Sequence, residues 1–261
     1  MPAAYNYRSG GKSYSSGFLK EAKPSREVSV VVPTYNEERS IKRLVSALSS
    51  ALKGFDFEVV VVDDASCDST PEIIDRLAAS SSGRVAALHR KGIKGIFSAL
   101  QDGIMVARGR IVVIMDADFS HPPEQVPFIV RELQKGDYDI VVGSRFVKGS
   151  VFKAPFARRY GPAVLNFVCR LILGIKVSDI FTGFHAMKKS SFRQVRFLYQ
   201  SVWGEFDMEL LYRAQKAGLK ITELPFSYRF RSEGSSKSAG FKVVKYGFAY
   251  LRRALQLRIF G

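Results

Sequence analysis

Two aspartates one residue apart, Asp116 and Asp118, follow the apolar run Ile111-Val112-Val113-Ile114-Met115. Carboxylates so close repel each other unless a cation or a ligand neutralises them. Oxygen ligands of this kind suit Mg²⁺ or Mn²⁺, and such an ion commonly bridges to substrate phosphates. Taken alone, an Asp-x-Asp is read as readily as a cap on the helix that follows. Two other apolar runs also end in polar residues, however: Val28 to Val32 in Pro33-Thr34-Tyr35-Asn36-Glu37, and Glu58 to Val62 in Asp63-Asp64. Three acidic strand ends in one sheet point to a divalent metal and a phosphorylated ligand.

The elements that must position these residues alternate in type. β-branched runs at Val28–Val32, Glu58–Val62, Val85–Leu88, Ile111–Met115 and Ile140–Val142 read as buried strands. Between them lie helical patterns. The first places Ile41, Leu44, Val45, Leu48 and Leu52 on one face, with Asn36 as its expected cap. Others open at Thr70-Pro71-Glu72, near Gly95 and at Pro122-Pro123-Glu124. Strands apolar on both faces and alternating with helices predict an α/β fold, a mostly parallel sheet covered by helices on both faces. Ligands of such sheets gather at the carboxyl ends of the strands.

The chain of 261 residues fits one large domain with an appendage. Residues 1–26, rich in Ser, Gly and Lys, are expected to be a flexible leader; 27–238 form the main domain and 239–261 a basic amphipathic helix. Cys67 and Cys169 have no metal-type spacing and read as small buried hydrophobes. The net charge is +16, and residues 229–261 hold eight Lys or Arg against the single acid Glu233. Such a segment attracts nucleic acid or an anionic membrane surface. Phe241, Val244, Phe248, Leu251, Leu255 and Ile259 share one helical stripe, while Tyr246, Tyr250 and Leu257 lie opposite and could pack on the domain. Residues 160–175 give a second interfacial helix. Its apolar stretch from Ala163 to Ile175 is interrupted by Asn166 and Arg170, and no stretch reaches the roughly 20 apolar residues that span a bilayer. No secretory signal is visible, so a peripheral protein at the cytoplasmic face of a membrane is expected.

Six motifs stand in order: VVVPTYNE (30–37), VDDAS (62–66), MDADFSHPPE (115–124), VGSRF (142–146), SDIFTGF (178–184) and RSEGSSK (231–237). With them the chain resembles family 2 glycosyltransferases of the GT-A fold, and among these the dolichyl-phosphate mannose synthase type. The resemblance implies that Pro33, Tyr35 and Glu37 line the base and ribose of a nucleotide sugar. It gives Asp63 a hydrogen bond to the base, with Asp64 beside it in the nucleotide site or its scaffold. Asp116 and Asp118 would bind a divalent metal, Mg²⁺ or Mn²⁺, with Ser120 where some members carry a Gln ligand. Arg145 would reach the acceptor phosphate or the departing diphosphate, Arg231 and Lys237 would clamp phosphate, and Arg158 or Arg159 would hold the acceptor phosphate. Pro162 stands where the family often has a phosphate-binding Ser, so that contact is lost or supplied elsewhere.

The implied reaction moves a hexose, most readily mannose from GDP-mannose, to a polyprenyl or dolichyl phosphate with inversion. UDP-glucose as donor and undecaprenyl phosphate as acceptor are the nearest alternative. A processive polysaccharide synthase is disfavoured, because the chain lacks a Q-x-x-R-W motif and membrane spans. A HAD-type phosphatase would carry its Asp pair after the first strand rather than a late one. Nucleic-acid binding rests on charge alone and is not expected; the oligomeric state is left open. Asp179 and Glu209 are candidates for orienting sugar hydroxyls, with scaffold the preferred role of Glu209. Thr182-Gly183-Phe184 is expected to make a tight turn at the donor, and His121 to support the Asp pair rather than ligate.

Overall fold

The computed structural model describes residues 4–9, 12–16, 21–91, 95–152, 156–195, 197, 205–229 and 242–261. In chain order the elements are β1 (Ala4–Ser9), β2 (Lys12–Ser16), β3 (Arg26–Thr34), α1 (Ile41–Ala51), β4 (Phe57–Asp63), α2 (Thr70–Ser80), β5 (Val85–Lys91), α3 (Ile96–Val106), β6 (Gly109–Ile114) and α4 (Val126–Gln134). They continue with β7 (Ile140–Ser144), β8 (Val151–Phe152), α5 (Phe156–Leu173), β9 (His185–Lys188), α6 (Lys189–Phe192), α7 (Phe206–Lys216), β10 (Ile221–Pro225), β11 (Ser227–Tyr228) and α8 (Lys242–Phe260).

Nine strands form one sheet in the order β10-β7-β9-β6-β3-β4-β5-β1-β2. The inner strands β6, β3, β4 and β5 run parallel, as does the pair β7 and β10. β9 is antiparallel to both β6 and β7. Every residue of β4 is buried, as expected of a strand covered on both faces. Because side chains alternate along a strand, Val31, Val60 and Val62 pack with α3, α5, α7 and α8, whereas Val30, Val32, Val59 and Val61 pack with α1, α2 and α4. The two half-cores enclose the sheet between them.

Two local expectations are corrected. Residues 4–9 and 12–16 do not belong to a leader without structure: β1 and β2 pair antiparallel, and β1 pairs with β5, Tyr7 opposite Leu88. Tyr5, Tyr7 and Tyr14 alternate with small polar residues at a strand's period, and β5 offers an edge of unpaired amides that such a strand pair satisfies. The first helix is not capped by Asn36; it starts at Ile41 behind Ser40. Asn36 instead takes a left-handed φ of 55°, and its side-chain oxygen accepts the Cys67 amide at 2.9 Å.

α5 and α8 pack against each other on one side of the domain. α8 turns Ala254 and Leu257 into the core and Tyr250 and Leu251 against it. Arg253, buried, pairs with the buried Glu209 of α7. The opposite stripe of α8 is exposed, Phe248 by 70% and Ile259 by 68%, with Leu255 between them. Tyr160, Val164, Phe167 and Leu171 form a similar exposed stripe on α5. No helix among the described residues is long and apolar enough to cross a membrane.

Candidate active site

The carboxyl ends of β6, β3 and β4 lie side by side, with Val31 opposite Ile114 and Thr34 opposite Asp63. Pairing in register therefore brings the three polar strand ends to one edge. On the β3–β4 side, the loop after β3 is laced to the loop after β4: Asn36 N–H donates to Ser66 Oγ at 2.8 Å and Glu37 N–H to Thr70 Oγ1 at 2.9 Å. The Glu37 carboxylate accepts the Ser40 hydroxyl at 2.9 Å. Tyr35 stands exposed at the rim and Pro33 is half-buried beneath it.

Asp63 is almost fully buried. One oxygen accepts the Ser66 amide at 3.3 Å and the other lies 3.5 Å from Nδ1 of His89, whose Nε2 is 3.0 Å from Asp75. Burial pushes the His89 pKa down, but the two carboxylates outweigh it and the net shift is upward. Asp64 points elsewhere. Its oxygens take Arg90 at 2.5 Å and the Gly95 amide at 2.7 Å, and Arg90 also binds Asp102 and Ser98. Of the two roles open to Asp64, the geometry gives it the scaffold: it fixes the entry to α3. Neither His89 nor Arg90 was singled out in the sequence, although both follow an apolar strand just as the named motifs do.

Asp116 and Asp118 occupy the turn after β6. The Asp116 side chain is 42% exposed, and an Asp118 oxygen accepts the Ser120 amide at 3.0 Å. Phe119 between them has a left-handed φ of 63°, rare for a bulky residue, and Arg43 of α1 stacks over its ring at 5.3 Å. His121 braces the turn from below. Its Nε2 lies 2.8 Å from the Thr182 carbonyl and its Nδ1 accepts the Asp116 amide at 3.0 Å, so it is the Nε2–H tautomer. Burial lowers its pKa to about 4, which keeps it neutral, and its ring stacks on Phe184 at 5.3 Å. Both nitrogens are engaged, so His121 supports the pair and does not ligate.

The donor set suits a metal that shares its coordination with substrate. Among the described residues no three His, Cys, Asp or Glu side chains cluster to hold an ion. Asp116 and Asp118 would offer such an ion two carboxylates, leaving its other positions to ligands from outside the protein. Their combined negative field reaches Tyr228, whose pKa rises mainly through burial and then through these two charges. Ser120 Oγ is buried beside the Tyr228 side chain. Opposite the pair sits Gly183 with φ +67°; a Cβ there would lie 3.2 Å from His121 Cε1 and 3.7 Å from an Asp116 oxygen. The turn expected at 182–184 thus closes against the Asp116–Asp118 turn itself.

Arg145, at the end of β7, completes the site. Its Nε and Nη2 donate to Asp179 at 2.7 and 2.8 Å, and Nη2 also to the Phe181 carbonyl at 3.0 Å. The fully buried Asp179 further accepts the amides of Arg145 and Phe181. These contacts correct the expectation that Asp179 orients sugar hydroxyls: its oxygens face Arg145 because a buried carboxylate needs a paired cation. Glu209 has the scaffold role expected of it, between Arg213 and Arg253. Asp207, which sequence reasoning missed, accepts the Gly183 amide at 2.6 Å. Burial pushes its pKa up to about 7. Arg231 and Lys237 lie outside the described residues, and of Arg158 and Arg159 only the backbone, in the first turn of α5, is described.

Comparison with known proteins places this geometry. The family model "Glycosyl transferase family 2" matches residues 29–196. A dolichol-phosphate mannosyltransferase of Pyrococcus furiosus is 37% identical over 235 residues, 88% of this chain and 63% of that protein. Glycosyltransferase AglD of Haloferax volcanii is 34% identical over 206 residues, 77% of this chain and 33% of that protein. The chain thus spans less than two thirds of the length of either relative. Among solved structures, glucosyl-3-phosphoglycerate synthase from Mycobacterium tuberculosis, crystallised with Mn²⁺, UDP-glucose and phosphoglyceric acid, superposes with a TM-score of 0.64 at 22% identity, covering 90% of this chain and 80% of that one. The likeness carries the fold, a GT-A type α/β sheet. By its motifs, its sheet and its family match, the chain belongs to glycosyl transferase family 2.

Proposed function

We propose that the chain transfers a hexosyl group, with mannose from GDP-mannose the favoured donor, to a polyprenyl or dolichyl phosphate at a membrane surface, inverting the anomeric carbon. The observation that carries this reading is the convergence on one sheet edge of Asp63 and Tyr35, the Asp116–Asp118 pair and Arg145, beside two helices with exposed apolar stripes. The Pyrococcus furiosus relative, named a dolichol-phosphate mannosyltransferase, supports the acceptor class.

In this reading Pro33, Tyr35, Glu37 and Asp63 receive the base and ribose. Asp116 and Asp118 hold the divalent metal, which when bound neutralises charge on the donor diphosphate. The acceptor is a phosphate monoester with a second pKa of about 6, so its oxygen is anionic at neutral pH and needs no general base. That oxygen forms a bond to the anomeric carbon as the bond from that carbon to the diphosphate oxygen breaks, with the electron pair leaving on the diphosphate. The work left to the protein is to hold two anions together and stabilise the leaving one. Arg145, already oriented by Asp179, supplies fixed positive charge; Arg158, Arg231 and Lys237 complete the clamp. The exposed stripes of α5 and α8, edged by the exposed Arg252 and Arg258, seat on anionic lipid with their cations at the headgroups.

Donor and acceptor profiling tests the reading. Labelled GDP-mannose and UDP-glucose are each offered with dolichyl or undecaprenyl phosphate and Mn²⁺ or Mg²⁺. GDP-mannose should yield a solvent-extractable lipid-linked sugar whose anomer is opposite to the donor's. Label found only on water-soluble acceptors, or a retained anomer, contradicts it.

A further inference from the structure

Asn166 interrupts the apolar run of α5, and the structure shows what it does there. It is 3% exposed, on the side of α5 turned away from Val164, Phe167 and Leu171. Its Nδ2 donates to the Ser178 carbonyl at 2.7 Å and its Oδ1 accepts the Ile180 amide at 2.9 Å. One side chain thus grips the backbone on both sides of Asp179, the residue that orients Arg145. Glu223 of β10 holds the same stretch from the sheet side, accepting the amides of Ser178 and Asp179 at 2.8 and 3.2 Å. α8 reaches the stretch one residue further on: the Tyr250 ring meets the Phe181 ring edge-on at 4.7 Å, and the Phe181 carbonyl accepts from Arg145.

Both helices with exposed apolar stripes therefore touch the segment 178–181, and that segment holds the arginine of the site. We infer that Asn166 and Tyr250 are positioning residues for Arg145, through which the seating of α5 and α8 on a lipid surface sets the posture of the site. The inference rests on the proposed transfer to a lipid phosphate. Its physical basis is that α5 cannot shift alone. Parting Asn166 from its partners would leave the half-buried Ser178 carbonyl and the buried Ile180 amide unpaired, so the segment follows the helix.

The test compares wild type with Asn166→Ala, Tyr250→Phe and Tyr250→Ala, with and without anionic phosphatidylserine vesicles. Hydrogen exchange at the amides of Arg145, Ile180 and Phe181 is read beside kcat and KM for donor and acceptor. In wild type, vesicles slow exchange at these amides. Asn166→Ala still binds vesicles but loses that added protection, and its kcat falls at least about tenfold with donor KM within about twofold, as expected when a charged group is displaced by a fraction of an ångström. Tyr250→Phe keeps the ring and behaves as wild type, whereas Tyr250→Ala follows Asn166→Ala. Should Asn166→Ala not fold, the Tyr250 pair decides alone. Wild-type kcat and intact vesicle-induced protection in the Ala variants overturn the inference, as does a wild-type segment indifferent to vesicles. Product formation with an indifferent segment would sink the coupling and leave the transferase reading standing. Absence of any product leaves the exchange comparison to decide the coupling.

Discussion

At the scale of single residues, the site is held by buried side chains that bind its backbone. His121 satisfies the Asp116 amide and the Thr182 carbonyl at once. His121→Phe keeps the ring on Phe184 but leaves the half-buried Asp116 amide and the buried Thr182 carbonyl unpaired, at about 1–3 kcal/mol for the buried group. A urea melt should show that loss, together with weaker Mn²⁺ dependence of the reaction; unchanged stability would refute the brace. Asp207 gives a pH signature. Burial holds its folded pKa at about 7, above the ordinary 3.8, so the folded state keeps a proton that the unfolded chain releases. Stability from this residue is complete below 3.8 and is lost as pH rises through about 7. Asp207→Asn still accepts the Gly183 amide and carries no charge. Its Tm should match wild type at pH 4 and exceed it by several degrees at pH 8, on a scale of about 2–4 °C per kcal/mol. An offset that does not vary with pH would count against this account.

At the scale of elements, the two surface helices divide their faces between the core and the solvent. Phe248, Leu255 and Ile259 contribute nothing to the packing of α8, which rests on Tyr250, Leu251, Ala254, Leu257 and the Arg253–Glu209 pair. Leu255→Glu with Ile259→Glu should therefore abolish vesicle flotation while moving unfolding free energy by no more than about 0.5 kcal/mol. Retained flotation would mean that the stripe is not the lipid-binding face. The strand and helix alternation was legible in the sequence because Val-rich runs such as Val59–Val62 are apolar on both faces, a pattern with few other solutions. The strand pair at 4–9 and 12–16 was not, since its reason for existing is the open edge of β5, a neighbour distant in sequence. Asp179 was placed wrongly for the same cause. Its partner Arg145 is 34 residues away, and nothing near Asp179 in the chain announces that it is buried. Asn166 did leave a signal, as a polar residue inside an apolar run, but the run alone could not say what it binds.

At the scale of the whole molecule, the sheet separates two tasks and the segment 178–184 joins them. In the proposed reading the ends of β3 and β4 form the nucleotide side, and α5 and α8 the surface side. Asp179 and Phe181 hold Arg145, and Thr182 and Gly183 close on the Asp pair through His121. The net charge of +16 acts over the whole body, so attachment to anionic vesicles should weaken steadily as salt shortens the Debye length below about 8 Å. All of this serves one claim, that Asp116 and Asp118 present a metal-bound diphosphate to a lipid phosphate. Its most direct test is the initial rate of lipid-linked sugar formation from GDP-mannose and dolichyl phosphate, for wild type and Asp118→Ala, with Mn²⁺ added. The account predicts a loss of at least about a hundredfold in the variant, the scale of removing one electrostatic contact to a leaving group. Full activity in Asp118→Ala would contradict it.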